Sequence, residues 1–198
     1  AKAMGAAGLL LVCPYYNKPS QEGIYQHYKS IAETVALPQI LYNVPGRTGV
    51  NMTSETTARL AEFSNIVAIK EASGSLTQVS EILARAGDKI DVLSGDDFLT
   101  FPMMACGAKG VISVSANVIP DRVKAMVQAT LNGDFSMARK LHLALLEFHT
   151  AMFIESNPVP VKASVALRGM IEARVRLPLV DMQAASLEKL KQVLRNYK

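Results

Sequence analysis

Histidine and cysteine are scarce in this chain, with three and two copies among 198 residues. His27, His142 and His149 stand at no recognised ligand spacing, which argues against a metal centre. Cys13 and Cys106 sit in apolar surroundings, as reduced thiols of a cytosolic protein do. A glycine-rich dinucleotide loop and a phosphate-binding loop are missing, so neither nucleotide fingerprint is available. The GxSxG elbow of Ser–His hydrolases is missing too. No apolar run is long enough to span a membrane. The N-terminal stretch AKAMGAAGLLLVCPYY starts like a signal peptide, with Lys2 before an apolar run. It then passes into Pro14, Tyr15, Tyr16 and Asn17 without a small-residue cleavage site, and so reads as a helix end followed by a buried strand. The net charge of +4 is spread without a basic run or interleaved aromatics, which fits a solvated surface better than a nucleic-acid face.

What the chain has in quantity is apolar residues, 49% against 19% charged, enough to fill a core. Runs of strand length occur at Gly8–Cys13, Gln39–Tyr42, Ile66–Ile69, Ile90–Leu93 and Gly110–Val114. They are continuous rather than alternating, the pattern of parallel strands covered on both faces. Helical periodicity fills the gaps. After Ser20 it places Ile24, Tyr28, Ile31, Ala32 and Val35 on one face. Ser75 N-caps a second helix carrying Val79, Ile82, Leu83 and Ala86, with Gly87 as its stop. Pro120 opens a third with Val123, Met126, Val127 and Leu131, ending at Gly133. The alternation predicts a parallel α/β sheet. After Gly133 the strands cease. Asp134–Phe153 and Leu187–Leu194 read as helices, and the prolines of SNPVPVK (156–162) predict a rigid turn before Ala163–Leu167. The expected division is 1–133 for the sheet-bearing part and 134–198 for a helical region.

Polar and special residues follow nearly every strand, as PYYNKPS (14–20), YNVPGRTG (42–49), KEASGS (70–75), SGDD (94–97) and SVSAN (113–117). In a βα barrel such loops share one face and build the active site. An open doubly wound sheet would also gather them, but lacks its dinucleotide loop here. Lys70 ends the run Ile66–Ile69, so its amine should emerge on that face with an apolar stem. Desolvation there would lower its pKa and allow imine formation with a carbonyl. The alternative is a solvated strand-end lysine paired with Glu71. Tyr42 is either a proton donor and acceptor or a buried phenol with a satisfied hydroxyl. Arg47, on a glycine-flanked loop, offers a planar fork for a carboxylate or is merely exposed. Tyr15 and Tyr16 end another strand, where packing under a loop is the plain alternative. Asp96 and Asp97 are either a metal or acid/base pair or, the favoured reading, a helix N-cap and its first-turn partner.

The ordered set YNVPGRTG, IVAIKEASGS, VLSGDD, GVISVSAN and NPVPVK resembles the dihydrodipicolinate synthase family, over the whole length of the chain. The resemblance implies a (β/α)8 barrel of the Schiff-base lyase superfamily, working without a cofactor or metal. It implies condensation of pyruvate with aspartate 4-semialdehyde in the diaminopimelate route to lysine, in the cytoplasm, by a homo-oligomer built as a dimer of dimers. Carried over residue by residue, Lys70 captures pyruvate and Tyr42 moves the protons beside it. Tyr16 reaches into a neighbouring subunit's site, and Arg47 holds a carboxylate of the aldehyde. Gly95 and Ile112 line the pyruvate pocket, Ile112 through its backbone, and Tyr15 belongs to a lysine-binding allosteric cleft.

The family pattern begins with three further βα units, one carrying a Thr-Thr-Gly-Glu motif whose hydroxyls link the two tyrosines; no such segment occurs here. The expectation is therefore a fragment: about the last five βα units, an open sheet, and an inactive chain when alone. Two alternatives stay in view. One is a sister lyase, such as N-acetylneuraminate lyase or a 2-keto-3-deoxy sugar acid aldolase, from which Arg47 in GRTG is the distinguishing feature. The other is a non-catalytic remnant.

Overall fold

A computed structural model describes residues 1–197. The chain forms β1 (Leu9–Val12), α1 (Gln21–Thr34), β2 (Gln39–Asn43), α2 (Pro45–Thr48), α3 (Ser54–Leu60), β3 (Ile66–Glu71), α4 (Leu76–Ala86), β4 (Asp91–Ser94), α5 (Thr100–Ala105) and β5 (Gly110–Val111). Helices α6 (Pro120–Leu131), α7 (Phe135–Met152), α8 (Val159–Leu167) and α9 (Ala184–Arg195) follow. The five strands make one parallel sheet in the order β1-β2-β3-β4-β5, so β1 and β5 are its edges and the sheet does not close among the described residues. Contacts group Ala1–Ile112 into one compact unit and the residues from Ser113 onwards into a second.

In the first unit the helices are started by side chains that accept otherwise orphaned N–H groups. Ser20 accepts from Gly23, Thr53 from Thr56 and Ser75 from Gln78. Helix α1 buries Ile24, Tyr28 and Ala32, and α4 buries Val79, Ile82 and Ala86. They cover the sheet face formed by Leu41, Ile69 and Val92, all at most 1% exposed. Each such fully buried aliphatic side chain contributes about 1.5–3 kcal/mol. The second unit packs Val123 and Met126 of α6, Leu145, Phe148 and Met152 of α7, and Leu190 of α9. There the Tyr197 hydroxyl donates to the Ala144 carbonyl at 2.7 Å.

Several expectations need correction. The strands are not covered on both faces. In β1 Leu10 is 47% and Val12 40% exposed, because β1 is an edge and its inner face carries no helix within this unit. The fifth strand stops at Val111, after which Ser115–Asn117 form a 3-10 turn. The prolines of NPVPVK do not delay the next helix to Ala163: Pro160 lies in the first turn of α8, where its missing N–H costs nothing. Helix α3 has no counterpart among the helical stretches expected from the sequence. A register shift also lies between Gln39 and Ile40, where Gln39 faces Ile66 but Ile40 faces Ala68, so Val67 is an extra residue on β3. Among the described residues no helix is long and apolar enough to cross a membrane.

Candidate active site

Pairing sets Val12, Tyr42, Lys70 and Leu93 side by side in one row across β1 to β4. Residues opposite each other in adjacent strands project to the same face, here the one away from the helices. On it the Lys70 amine lies 4.1 Å from the centroid of the Tyr42 ring. A cation so placed is attracted by the ring quadrupole. Lys70 is half-buried, and that desolvation lowers its pKa; the Asp97 carboxylate opposes the shift and the Arg47 guanidinium adds to it. Burial likewise raises the Tyr42 phenol, with Arg47 pulling the other way. The pair therefore combines an amine eased toward its nucleophilic neutral form with a phenol that keeps its proton at neutral pH.

The paired alternative for Lys70 fails on strand geometry. Adjacent residues of a strand point to opposite faces, and Glu71 turns away from Lys70 toward the helices, 1% exposed. There it accepts from the Ser73 N–H at 2.6 Å, the Asn43 amide at 3.0 Å and the Gln78 amide at 3.1 Å.

Gly95 follows β4 beside the Lys70 stem. A Cβ built on it would stand 2.9 Å from the Ala72 Cβ, 3.0 Å from the Lys70 Cε and 3.1 Å from its Cγ. Only a residue without a side chain leaves the amine where it is. The Ile112 N–H donates to the Ser94 carbonyl at 2.9 Å, which places Ile112 next to Gly95 at the end of the β4–β5 pairing. The cap reading of Asp96 fits, since its side chain accepts from the Phe98 N–H at 2.9 Å. Asp97 was missed. It is 2% exposed and acts electrostatically on Lys70. Its place in SGDD, directly after the fourth strand, was the available signal.

Arg47 is exposed on the single turn of α2, between Pro45 at the first helical position and Gly49, whose φ of 73° forms the left-handed cap. Thr48 fastens this turn, its hydroxyl lying 3.2 Å from the Val44 carbonyl and 2.9 Å from that of Val50. Arg47 shifts both Tyr42 and Lys70 electrostatically, so the loop brings its charge to the same site. Tyr15 and Tyr16, by contrast, are 67% and 88% exposed on the loop after β1. Asn17 donates its N–H to the Tyr15 carbonyl at 2.8 Å across Tyr16, whose φ is 68°. That is a strained γ-turn, of the kind retained where a side chain must be presented.

Comparison with known proteins gives concordant results. The family model described as "Dihydrodipicolinate synthetase family" matches residues 1–197. The chain is 65% identical to the 4-hydroxy-tetrahydrodipicolinate synthase of Geotalea daltonii over 198 residues, all of this chain and 68% of that protein. Among solved structures, the dihydrodipicolinate synthase of Aquifex aeolicus superposes with a TM-score of 0.96 at 49% identity, covering 99% of this chain and 67% of the other. The chloride-inhibited dihydrodipicolinate synthase of Acinetobacter baumannii, complexed with pyruvate, gives 0.95 at 44% identity, over 98% of this chain and 66% of the other.

Proposed function

The chain belongs to the dihydrodipicolinate synthetase family, and from that membership and the Lys70 row we propose a 4-hydroxy-tetrahydrodipicolinate synthase, a pyruvate-dependent Schiff-base lyase of lysine biosynthesis. Its α/β fold is part of a (β/α)8 barrel, with residues 1–133 as the barrel portion and 134–198 as a helical region. The observation that carries the assignment is the half-buried Lys70 amine, in register with Tyr42 and 4.1 Å above its ring.

The neutral Lys70 amine attacks the keto carbon of pyruvate, Tyr42 protonates the carbonyl oxygen, and water leaves to give the imine. Loss of a methyl proton yields the enamine, whose carbon attacks the aldehyde of aspartate 4-semialdehyde. The product amine then displaces Lys70 as the ring closes. Arg47 holds the aldehyde's carboxylate through its planar fork. Gly95 keeps the lysine stem free, and Ile112 borders the pyruvate pocket. Tyr16, exposed on its γ-turn, reaches a neighbouring copy's site in a homo-oligomer, a dimer of dimers. Tyr15 beside it belongs to a lysine-binding cleft; the relative from Cyanidioschyzon merolae is described with lysine bound. The site of action is the cytoplasm. A sister lyase is not expected to present arginine in the GRTG context, so Arg47 separates the two readings.

The test is reduction with borohydride in the presence of pyruvate, followed by peptide mapping. The adduct is expected on the peptide containing Lys70 and absent from Lys70→Ala. An adduct elsewhere, or undiminished labelling of the variant, overturns the assignment.

A further inference from the structure

Behind the reactive row lies a second one, on the helix-facing side of the sheet. Asn43 and Glu71 are opposite each other in the β2–β3 pairing and are 0% and 1% exposed. An ionised carboxylate only accepts hydrogen bonds, so Glu71 dictates that Asn43 turns its NH2 toward it. The Asn43 carbonyl oxygen is thereby left to accept the Met52 N–H at 3.0 Å, while the NH2 also reaches the Asn51 Oδ1 at 2.8 Å. A side chain at the start of the Arg47 loop thus grips the loop's far end. Gln78 of α4 holds the same end, donating to the Met52 carbonyl at 3.2 Å and accepting from Asn51 at 2.7 Å.

We propose that Asn43 is a positioning residue for aldehyde recognition: oriented by Glu71, it clasps residues 44–52 into the shape that aims Arg47. This rests on the Schiff-base reading above. Asn43 and Glu71 face away from substrate and touch no reacting atom. The clasp therefore governs the second substrate, held by the loop, and not imine formation, which depends on the strand residue Lys70. The enclosure also explains why these residues tolerate burial: each of their polar atoms finds a partner, and a half-satisfied network would cost more than an apolar one.

The experiment uses the enzyme produced from its own gene. Asn43→Asp sets two carboxylates against each other, and Glu71→Gln puts an NH2 in place of one of the two oxygens at which Asn43, Ser73 and Gln78 all donate. Each single variant is expected to raise KM for aspartate 4-semialdehyde by about tenfold, the scale of one buried hydrogen bond. The rate of borohydride-trapped imine formation with pyruvate should stay within about twofold, well below one decade. The double variant Asn43→Asp/Glu71→Gln transposes the charge and restores the pairing between the two strands, with the Asn51 and Gln78 amides turning over to follow; Gln78 then loses its bond to the Met52 carbonyl, so KM should return part of the way. If the single variants do not fold, Asn51→Ala on the exposed side of the clasp decides, with a smaller rise in the same direction. A folded Asn43→Asp with unchanged KM overturns the proposal. So does imine formation that slows by as much as KM rises, or a double variant no better than the singles. Wild-type enzyme that traps no pyruvate would instead refute the catalytic reading, a distinguishable result.

Discussion

Gly95→Ala is the most demanding test of the site geometry, because a single methyl meets the lysine stem directly. The added carbon would lie 2.9 Å from the Ala72 Cβ and 3.0–3.1 Å from two carbons of Lys70. Carbon atoms prefer about 3.5–4.0 Å, so something must move by roughly 0.5–1 Å. The Ala72 Cβ is fixed to strand-end backbone, whereas the Lys70 stem can turn, and the displacement falls mainly on Lys70. Overpacking of this kind costs about 1–3 kcal/mol, part of it stored as an off-rotamer lysine. At about 1.4 kcal/mol per decade, imine formation should slow by roughly one to two decades. The assay is single-turnover borohydride trapping with pyruvate, alongside thermal unfolding to confirm that the variant is folded. Gly46→Ala is the control: a Cβ there meets nothing within 4 Å. Trapping at the wild-type rate in a folded Gly95→Ala enzyme would refute the reasoning.

Arg47→Ala should leave pyruvate trapping near normal but weaken the aldehyde step by about 1.5–3 kcal/mol, or one to two decades in kcat/KM for the aldehyde; normal aldehyde kinetics would favour a sister aldolase. Asp97→Asn removes a negative charge that favours protonated Lys70, so the Lys70 pKa falls further and the acidic limb of the imine-formation pH profile moves to lower pH, as stopped-flow or quench measurements would show; an unmoved limb sinks that electrostatic role. Cys13 is fully buried and its thiol is pushed up to about 11, chiefly by burial, whereas Cys106 is exposed. An aromatic disulfide reagent at neutral pH should therefore modify one thiol quickly and the second only on unfolding.

The parts of the fold legible in the sequence were those in which the apolar pattern and the terminating residue agreed. Ile66–Ile69 is a continuous run that ends in Lys70, and Ser75 followed by Val79, Ile82 and Ala86 carries both cap and stripe. Helix α3 was not legible because three of its four buried residues are Ser54, Thr56 and Thr57, which give no hydrophobic period. They are held instead by hydroxyl bonds, Thr56 donating to Gln21 at 2.7 Å and Ser54 to Glu81 at 2.8 Å. The alternative that pairs Lys70 with Glu71 rests on sequence adjacency alone; the pleat separates them and joins Glu71 to Asn43, 28 positions away. Reading the period of two through both strands would have found that pair. The exposure of β1 had no sequence signal, since a strand's cover is supplied by other elements.

The extra residue on β3 bears on how this region can change length. From its pairing partner at Gln39, β2 takes three steps to Tyr42, while β3 takes four from Ile66 to Lys70, Val67 being the surplus. The two strands therefore hold unequal slack. Losing Val67 would draw β3 straight and leave Tyr42 still opposite Lys70. Losing any residue between Gln39 and Tyr42 would instead turn the phenol to the opposite face of the sheet. Deletions one strand apart thus have opposite consequences, and a β2–β3 unit transplanted between relatives has to travel as a matched pair.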